Sequence, residues 1–261
     1  MLTMRRIASF LRTLLATALG YPLGWPLSGI LMAAGVVASV LGFGRGFILR
    51  GEVFWGRLVF LFVGRLLRIR GLHNKSPARA YLILANHASF YDIPVILAAC
   101  PGAAFVGREK LMRIPGFRTF LRAVGYVPID TGRVKRAHDA IVQAIRRADH
   151  GMSIIMFPEG TRTLSGDVQP LKRGFVYVLR ESGLDVLPVT IRGTYALKPK
   201  FRASLDPRQR IEAVVHAPIA NAELTQLSDR EIMNRIYCVL KRGSSTSCVH
   251  GTGMGGAHGS N

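Results

Sequence analysis

From Gly71 onward, short apolar runs alternate with amphipathic stretches, and glycines punctuate the changeovers. Tyr81–Ala85, Ala103–Val106, Tyr126–Ile129, Ser153–Phe157, Val186–Ile191 and Ile211–His216 have the length and apolar character of buried strands. Between them the period lengthens. A helix is expected up to about Ala99, others over Phe117–Ala123 and Lys172–Ser182, and another over Arg136–Ala148, where Ala137, Ile141, Ala144, Ile145 and Ala148 share one face. Gly125, Gly151 and Gly183 are placed as stops, and Ser228 with Glu231 forms a capping box for a last helix carrying Ile232, Ile236, Val239 and Leu240. No internal repeat is visible. Such alternation restricts the chain to the α/β class, a mainly parallel sheet flanked by helices.

Open α/β sheets bind ligands beyond the carboxyl ends of their strands, so polar residues that follow an apolar run directly are the ones to inspect. Asn86-His87-Ala88-Ser89-Phe90-Tyr91-Asp92 follows Tyr81–Ala85. A five-residue step turns about 140° on a helix and points to opposite sides of a strand. His87 and Asp92 therefore meet only if the chain leaves a strand and enters a helix between them. A histidine oriented by a carboxylate is what removes a proton from a hydroxyl. A plainer alternative stands beside this one: Ser89-x-x-Asp92 fits a helix-start capping box, although Pro94 places the helix start nearer Asp92. Phe157-Pro158-Glu159-Gly160-Thr161-Arg162 repeats the placement after Ser153–Phe157. Gly160 allows close backbone approach to a ligand, Arg162 suits a bidentate phosphate pair, and Glu159 suits a hydroxyl or the arginine. Pro-x-Gly also makes ordinary surface turns. If both strands lie in one parallel sheet, the two turns converge.

The first 70 residues differ in kind. Arg5, Arg6 and Arg12 precede an uncharged stretch from Thr13 to Gly44, closed by Arg45. One straight helix of that length would run about 48 Å, well beyond a hydrocarbon core of about 30 Å. Pro22 and Pro26 near its middle predict a break. Two arrangements follow: a single span over Leu27–Phe43, or a re-entrant hairpin, favoured by cationic flanks on both sides. Ala16-Thr17-Ala18 resembles a signal-peptide cleavage site, but Arg12 interrupts the apolar region before it. Val53–Arg70 is expected as a helix lying in a membrane interface, with Arg57, Arg65 and Arg68 on a narrow polar stripe. An ordinary core-packing helix would show the same stripe.

Composition narrows the partners. Lys and Arg number 35 against 15 Asp and Glu, a formal charge of +20, which calls for a polyanion. At 49% hydrophobic residues and without the basic-aromatic interleaving of single-strand binders, an anionic membrane surface fits better than nucleic acid. Cys100, Cys238 and Cys248 make no close pair and no metal-ligand spacing.

Asn86-His87-x-Ser89-x-x-Asp92, followed some seventy residues later by Phe157-Pro158-Glu159-Gly160-Thr161-Arg162, resembles the glycerolipid acyltransferase family, and within it the 1-acylglycerol-3-phosphate acyltransferases. Leu187-Pro188-Val189 and Lys172-x-Gly174-Phe175 extend the resemblance, which covers about Gly71 to Arg192. It implies a glycerolipid acyltransferase-like fold over 71–242; patterning adds N-terminal membrane-anchoring helices at 1–70, and the Gly/Ser/His-rich stretch at 243–261, with almost no apolar content, is expected as a disordered tail. By the same resemblance His87 is the general base for the acceptor hydroxyl and Asp92 orients its ring. Ser89, Glu159, Gly160, Thr161 and Arg162 hold the acceptor, Arg162 near its phosphate. The family's second phosphate arginine is matched by Arg133, about two positions late in Gly125–Arg133. The implied substrates are a lysophospholipid and an acyl thioester, acyl-CoA or acyl carrier protein, with no cofactor and no metal. The implied location is the cytoplasmic face of a membrane, the inner membrane of a bacterium. Another lysolipid, such as a lyso-ornithine lipid, is the rival acceptor, and a basic membrane scaffold without activity is the rival outside enzymology.

Overall fold

The computed structural model of the chain describes residues 2–22, 24–113, 118, 121, 126–129, 142 and 151–244. Seven strands among them form one sheet: β1 (Leu67–Arg70), β2 (Tyr81–Ala85), β3 (Ala104–Arg108), β4 (Val127–Ile129), β5 (Ile154–Met156), β6 (Asp185–Arg192) and β7 (Ile211–Val215). Their spatial order is β1-β7-β6-β2-β5-β3-β4. Every pairing is parallel except that of β6 with β7. The α/β class and the mainly parallel sheet expected from the sequence are present.

β2 is the central strand, and its alternation sends side chains to two different cores. Tyr81, Ile83 and Ala85 join Val95, Ile96 and Ala99 of α4 (Asp92–Ala99) and Phe60 of α3 (Arg45–Phe62) on one face. Leu82 and Leu84 join Phe175 and Leu179 of α5 (Gly174–Ser182) and Ile232, Ile236 and Leu240 of the last helix on the other. All five β2 side chains are buried, as expected of a strand covered on both sides. Two short helices, α6 (Thr194–Leu197) and α7 (Asn221–Thr225), precede the long terminal α8 (Asp229–Ser244). The expected capping box is present at its start: Glu231 Oε2 accepts from the Ser228 N–H at 2.8 Å, and the Glu231 N–H donates to Ser228 Oγ at 3.4 Å. α8 runs on through Gly243 to Ser244. The expected helix over Arg136–Ala148, most of that over Phe117–Ala123, and the rest of the tail lie outside the described residues.

The amino-terminal segment makes three helices, α1 (Leu2–Gly20), α2 (Gly24–Val40) and α3. The break falls where the prolines predict it. Pro22 is in the turn, and Pro26 is in the first turn of α2, where a missing N–H removes no helical bond. α2 is 17 residues, about 26 Å long, and no helix among the described residues is long and apolar enough to cross a membrane. α2 covers most of the span considered over Leu27–Phe43, with turns separating it from α1 and from α3.

The helix expected over Val53–Arg70 also needs correction. α3 ends at Phe62, because Gly64 takes a left-handed φ of +70°, and Leu67–Arg70 is strand β1 paired with β7. Arg65, expected to face lipid phosphates, donates from Nε to the Pro207 carbonyl, and Arg70 pairs with Glu212 at 2.7 Å. Close packing fastens these helices to the domain. A Cβ on Gly56 of α3 would lie 2.4 Å from the Pro94 carbonyl oxygen and 2.9 Å from Ala98 Cβ of α4, so only glycine permits the approach. At the end of α1, Thr17 Oγ1 accepts from the Leu205 N–H at 3.0 Å, and the Tyr21 hydroxyl donates to the Ala203 carbonyl at 2.6 Å.

Candidate active site

The register sets Leu84 of β2 beside Met156 of β5, so the chain leaves both strands at one edge of the sheet, and the two polar turns converge as expected. On the other side of β2, Asn86 prolongs the contact with β6. Its Nδ2 donates to the Ile191 carbonyl at 3.0 Å, and its Oδ1 accepts the Ile191 N–H at 2.7 Å. That buried amide fixes where β2 ends and the turn begins.

His87 is the next residue. Its Nδ1 lies 2.8 Å from Asp92 Oδ2, and the same oxygen accepts the backbone N–H groups of Ala88 at 2.6 Å and Ser89 at 2.8 Å. The two accounts of Asp92 open from the sequence are thus both realised in one carboxylate. It reaches back to the helix-start N–H groups, as a capping acid does, and the same oxygen takes the imidazole. Asp92 is fully buried while the His87 side chain is 18% exposed, so the ring is anchored on one side and open on the other. With Nδ1 donating to the carboxylate, Nε2 is left with its lone pair. A second constraint fixes the ring plane: it stacks on Phe157 with centroids 4.1 Å apart and planes 15° apart. Burial leaves Asp92 Oδ1 with no hydrogen-bond partner among the described residues.

Glu159, expected beside the acceptor, is 2% exposed and has both oxygens engaged. Oε1 accepts the His87 N–H at 2.6 Å and Oε2 the Gln169 N–H at 2.9 Å. Burial raises its carboxyl above the ordinary range, against the opposing pull of these two N–H groups and of nearby His87. This side chain ties the turn after β5 to the one after β2. The Thr163 N–H donating to the His87 carbonyl at 2.9 Å is a second tie. Gly160 has a left-handed φ of +68°, and a Cβ there would lie 2.9 Å from Cδ of Lys172, whose own N–H donates to the Pro158 carbonyl at 2.7 Å. The Thr161 carbonyl accepts Nε2 of Gln169 at 3.2 Å, and Arg162 has no hydrogen bond or ion pair among the described residues. Ser89 is buried, and its hydroxyl donates to the Lys198 carbonyl at 2.7 Å. Arg133 lies outside the described residues.

Two participants escaped the motif-based expectation. Phe157 enters it as the last residue of an apolar run and the first of the second motif, with no role of its own, and its face-to-face contact with His87 has no sequence signal. Gln169, which holds both Glu159 and Thr161, sits in a polar loop with no pattern of its own. The assembled edge holds an oriented imidazole with an open Nε2, and the turn after β5 adds an arginine with no carboxylate partner among the described residues. That set can deprotonate a hydroxyl and hold an anion next to it.

Comparison with known proteins gives the family of this domain. Residues 66–192 match the family model described as Acyltransferase. A chloroplastic 1-acyl-sn-glycerol-3-phosphate acyltransferase of Brassica napus is 27% identical over 169 residues, covering 64% of this chain and 49% of that protein. One from Haemophilus influenzae is 30% identical over 144 residues, covering 54% of this chain and 60% of that protein. The chain spans about half the length of the first curated relatives it matches. The crystal structure of the 1-acyl-sn-glycerophosphate (LPA) acyltransferase PlsC from Thermotoga maritima superposes with a TM-score of 0.74 at 28% identity, covering 92% of this chain and 95% of that one. Residues 66–192, which carry both polar turns and the strands beneath them, are an acyltransferase-family domain.

Proposed function

We propose that the protein is a membrane-associated O-acyltransferase that moves an acyl group from a thioester of coenzyme A or acyl carrier protein to the free hydroxyl of 1-acylglycerol 3-phosphate, giving phosphatidic acid. The observation that carries the reading is the His87 Nδ1–Asp92 Oδ2 contact of 2.8 Å at the exposed end of a buried strand. Asp92 holds the Nδ1 proton, so the Nε2 lone pair accepts the proton of the acceptor hydroxyl. The hydroxyl oxygen bonds to the thioester carbonyl carbon, the carbon–sulfur bond breaks, and the thiolate takes the proton back from Nε2. No acyl-enzyme intermediate is needed. Asp92 stabilises the imidazolium while it exists. Arg162, with no carboxylate partner among the described residues, suits the acceptor's phosphate.

Association with the cytoplasmic face of a membrane is part of the proposal. α1 exposes Met4, Ile7, Leu11 and Leu14 at helical spacing on one face, and the chain carries a formal +20. An exposed apolar helix face with basic surroundings suits an anionic lipid surface, where a lysolipid keeps its own acyl chain. The test is His87→Ala in membrane fractions, assayed with labelled acyl thioester and a panel of lysolipid acceptors. Acyl transfer should fall at least about 10²-fold, the scale of a general base, while the variant still sediments with membranes. Full activity in the variant would sink the mechanism, and a wild type that uses no acceptor in the panel would sink the function.

A further inference from the structure

Ser89 is a residue of the first polar turn, yet its hydroxyl points away from the catalytic pair, to the carbonyl of Lys198. It thereby fastens the segment after α6 to the turn that carries His87. The segment is well built. The Lys198 N–H donates to the Thr194 carbonyl at 2.9 Å, and the Asp206 N–H to the Leu197 carbonyl at 2.9 Å. The Arg202 guanidinium gathers the carbonyls of Ala196, Leu197 and Ser204, the last two at 2.9 and 3.1 Å.

The fastening brings Lys198 into Coulombic reach of Arg162 from the turn after β5 and of Arg202 from its own loop. The Thr163 N–H donates to the His87 carbonyl at 2.9 Å and Ser89 Oγ to the Lys198 carbonyl at 2.7 Å, so Arg162, Lys198 and Arg202 come from two elements that both meet the turn carrying His87. None of them forms an ion pair with a carboxylate among the described residues. Three acids of these elements already have partners: Asp206 is held by the Arg208 guanidinium, Asp92 by His87, and Glu159 by two backbone N–H groups. Among the described residues the Lys198 ammonium reaches only the Pro199 carbonyl at 3.4 Å, at the limit of a hydrogen bond. Its proton affinity is lowered by burial first, and then by Arg162 and Arg202. Of the three, Arg202 has a carboxylate in Coulombic reach, that of Asp206, while the charges acting on Lys198 are the cations Arg162 and Arg202; like charges so placed are unfavourable for the protein alone, and an anion between them reverses the sign.

We propose that Lys198 completes a phosphate subsite with Arg162, and that it sets the preference for a phosphate-bearing substrate. Arg202 is the backdrop, its guanidinium already spent on three carbonyls. The subsite rests on the acyltransferase reading above and names its ligand: a phosphate dianion, supplied by the acceptor's head group or by the nucleotide of coenzyme A.

The test compares wild type with Lys198→Gln and Lys198→Arg, as full-length protein in mixed micelles, with acceptor and donor varied in turn. Lys198→Gln is expected to raise the KM for 1-acylglycerol 3-phosphate about tenfold, the scale of one charged hydrogen bond at a partly exposed site. Its kcat and its KM for the uncharged 1-acylglycerol should stay unchanged, and Lys198→Arg should restore most of the loss. If the phosphate belongs to the donor, the rise appears instead in the KM for acyl-CoA and vanishes with an acyl N-acetylcysteamine thioester, which has no phosphate. Unchanged KM values for both substrates would overturn the subsite. A direct arm removes dependence on turnover: His87→Ala protein should bind 1-acylglycerol 3-phosphate, or coenzyme A, about tenfold more tightly than the same protein carrying Lys198→Gln. Equal affinities for both would overturn the proposal even if the wild type transferred acyl groups normally. A wild type inactive with every acceptor would overturn the acyltransferase reading while this binding difference still held.

Discussion

Replacing Glu159 by glutamine separates a brace from a substrate contact. The carboxylate accepts one N–H on each oxygen, from His87 at 2.6 Å and from Gln169 at 2.9 Å. A glutamine has the same shape but one acceptor, so whichever way it turns, its NH₂ group faces a backbone N–H. One hydrogen bond to a charged acceptor is lost, worth about 1.5–3 kcal/mol. Relief from burying a carboxylate offsets a part, since burial already disfavours the ionised form. A net loss of about 2 kcal/mol follows, and in a chain of this size that lowers the melting temperature by about 4–8 °C. Whichever of the two bonds is lost, the brace between the His87 turn and the Gln169 loop is broken, and the ring is displaced from its working position. kcat should therefore fall about tenfold or more, with little change in acceptor KM. Thermal unfolding of the full chain in detergent, followed by tryptophan fluorescence, reads the first effect, and initial rates at varied acceptor read the second. An unchanged melting temperature with a raised acceptor KM would refute the brace and put the carboxylate on the substrate.

Two further predictions concern stability. Gly56→Leu forces a side chain into the 2.4 Å gap before the Pro94 carbonyl, prying α3 from α4, and should destabilise by about 1–3 kcal/mol, seen as a lower urea midpoint. His216, packed against Thr190 and held below its ordinary value of 6.5 by burial and then by Arg192, gives a pH dependence. Below pH 6.5 the unfolded chain takes up a proton that the folded chain refuses, so stability present at pH 7.5 is progressively lost on acidification. His216→Gln, which keeps a hydrogen-bonding group for Thr190, should shrink the difference between melts at pH 7.5 and 5.5. An undiminished difference would assign it to other groups.

Where the chain's local preferences and its burial agree, the sequence was enough. Tyr81–Ala85 is the same strand in sequence and structure because five consecutive apolar residues suit only a strand covered on both faces. His87 and Asp92 were paired correctly because sterics leave a strand-to-helix turn as the one way for them to meet. Leu67–Arg70 shows the opposite case. Leu67 and Ile69 alternate with Arg68 and Arg70 in burial, a period of two, but a four-residue strand is short beside the apolar helix before it. The deciding feature was the left-handed Gly64, which nothing in the sequence distinguishes from the other glycines of the segment. Glu159 was legible as important and illegible in role, because its two partners are backbone groups contributed by residues 87 and 169. In the sequence Lys198 is one of several basic residues, with Lys200, Arg202, Arg208 and Arg210, and nothing there singles it out. Its place near Arg162 depends on the Ser89 bond, across a sequence separation of 109.

The pairing of β1 with β7 also has a consequence in time. Asn74, just past β1, donates to the Val215 carbonyl 141 residues later, and Leu67 stands opposite Ile211. At about 5–20 residues per second, a ribosome needs roughly 7–30 s to travel from one strand to the other. Throughout that interval β1 has been made and its partner has not, so its ladder of N–H and C=O groups stays open. This end of the sheet is completed only after β7 has been made. A chain stopped short of Ile211 keeps β2, β5 and the catalytic turn, but leaves β1 without its partner, as a site for association with other chains.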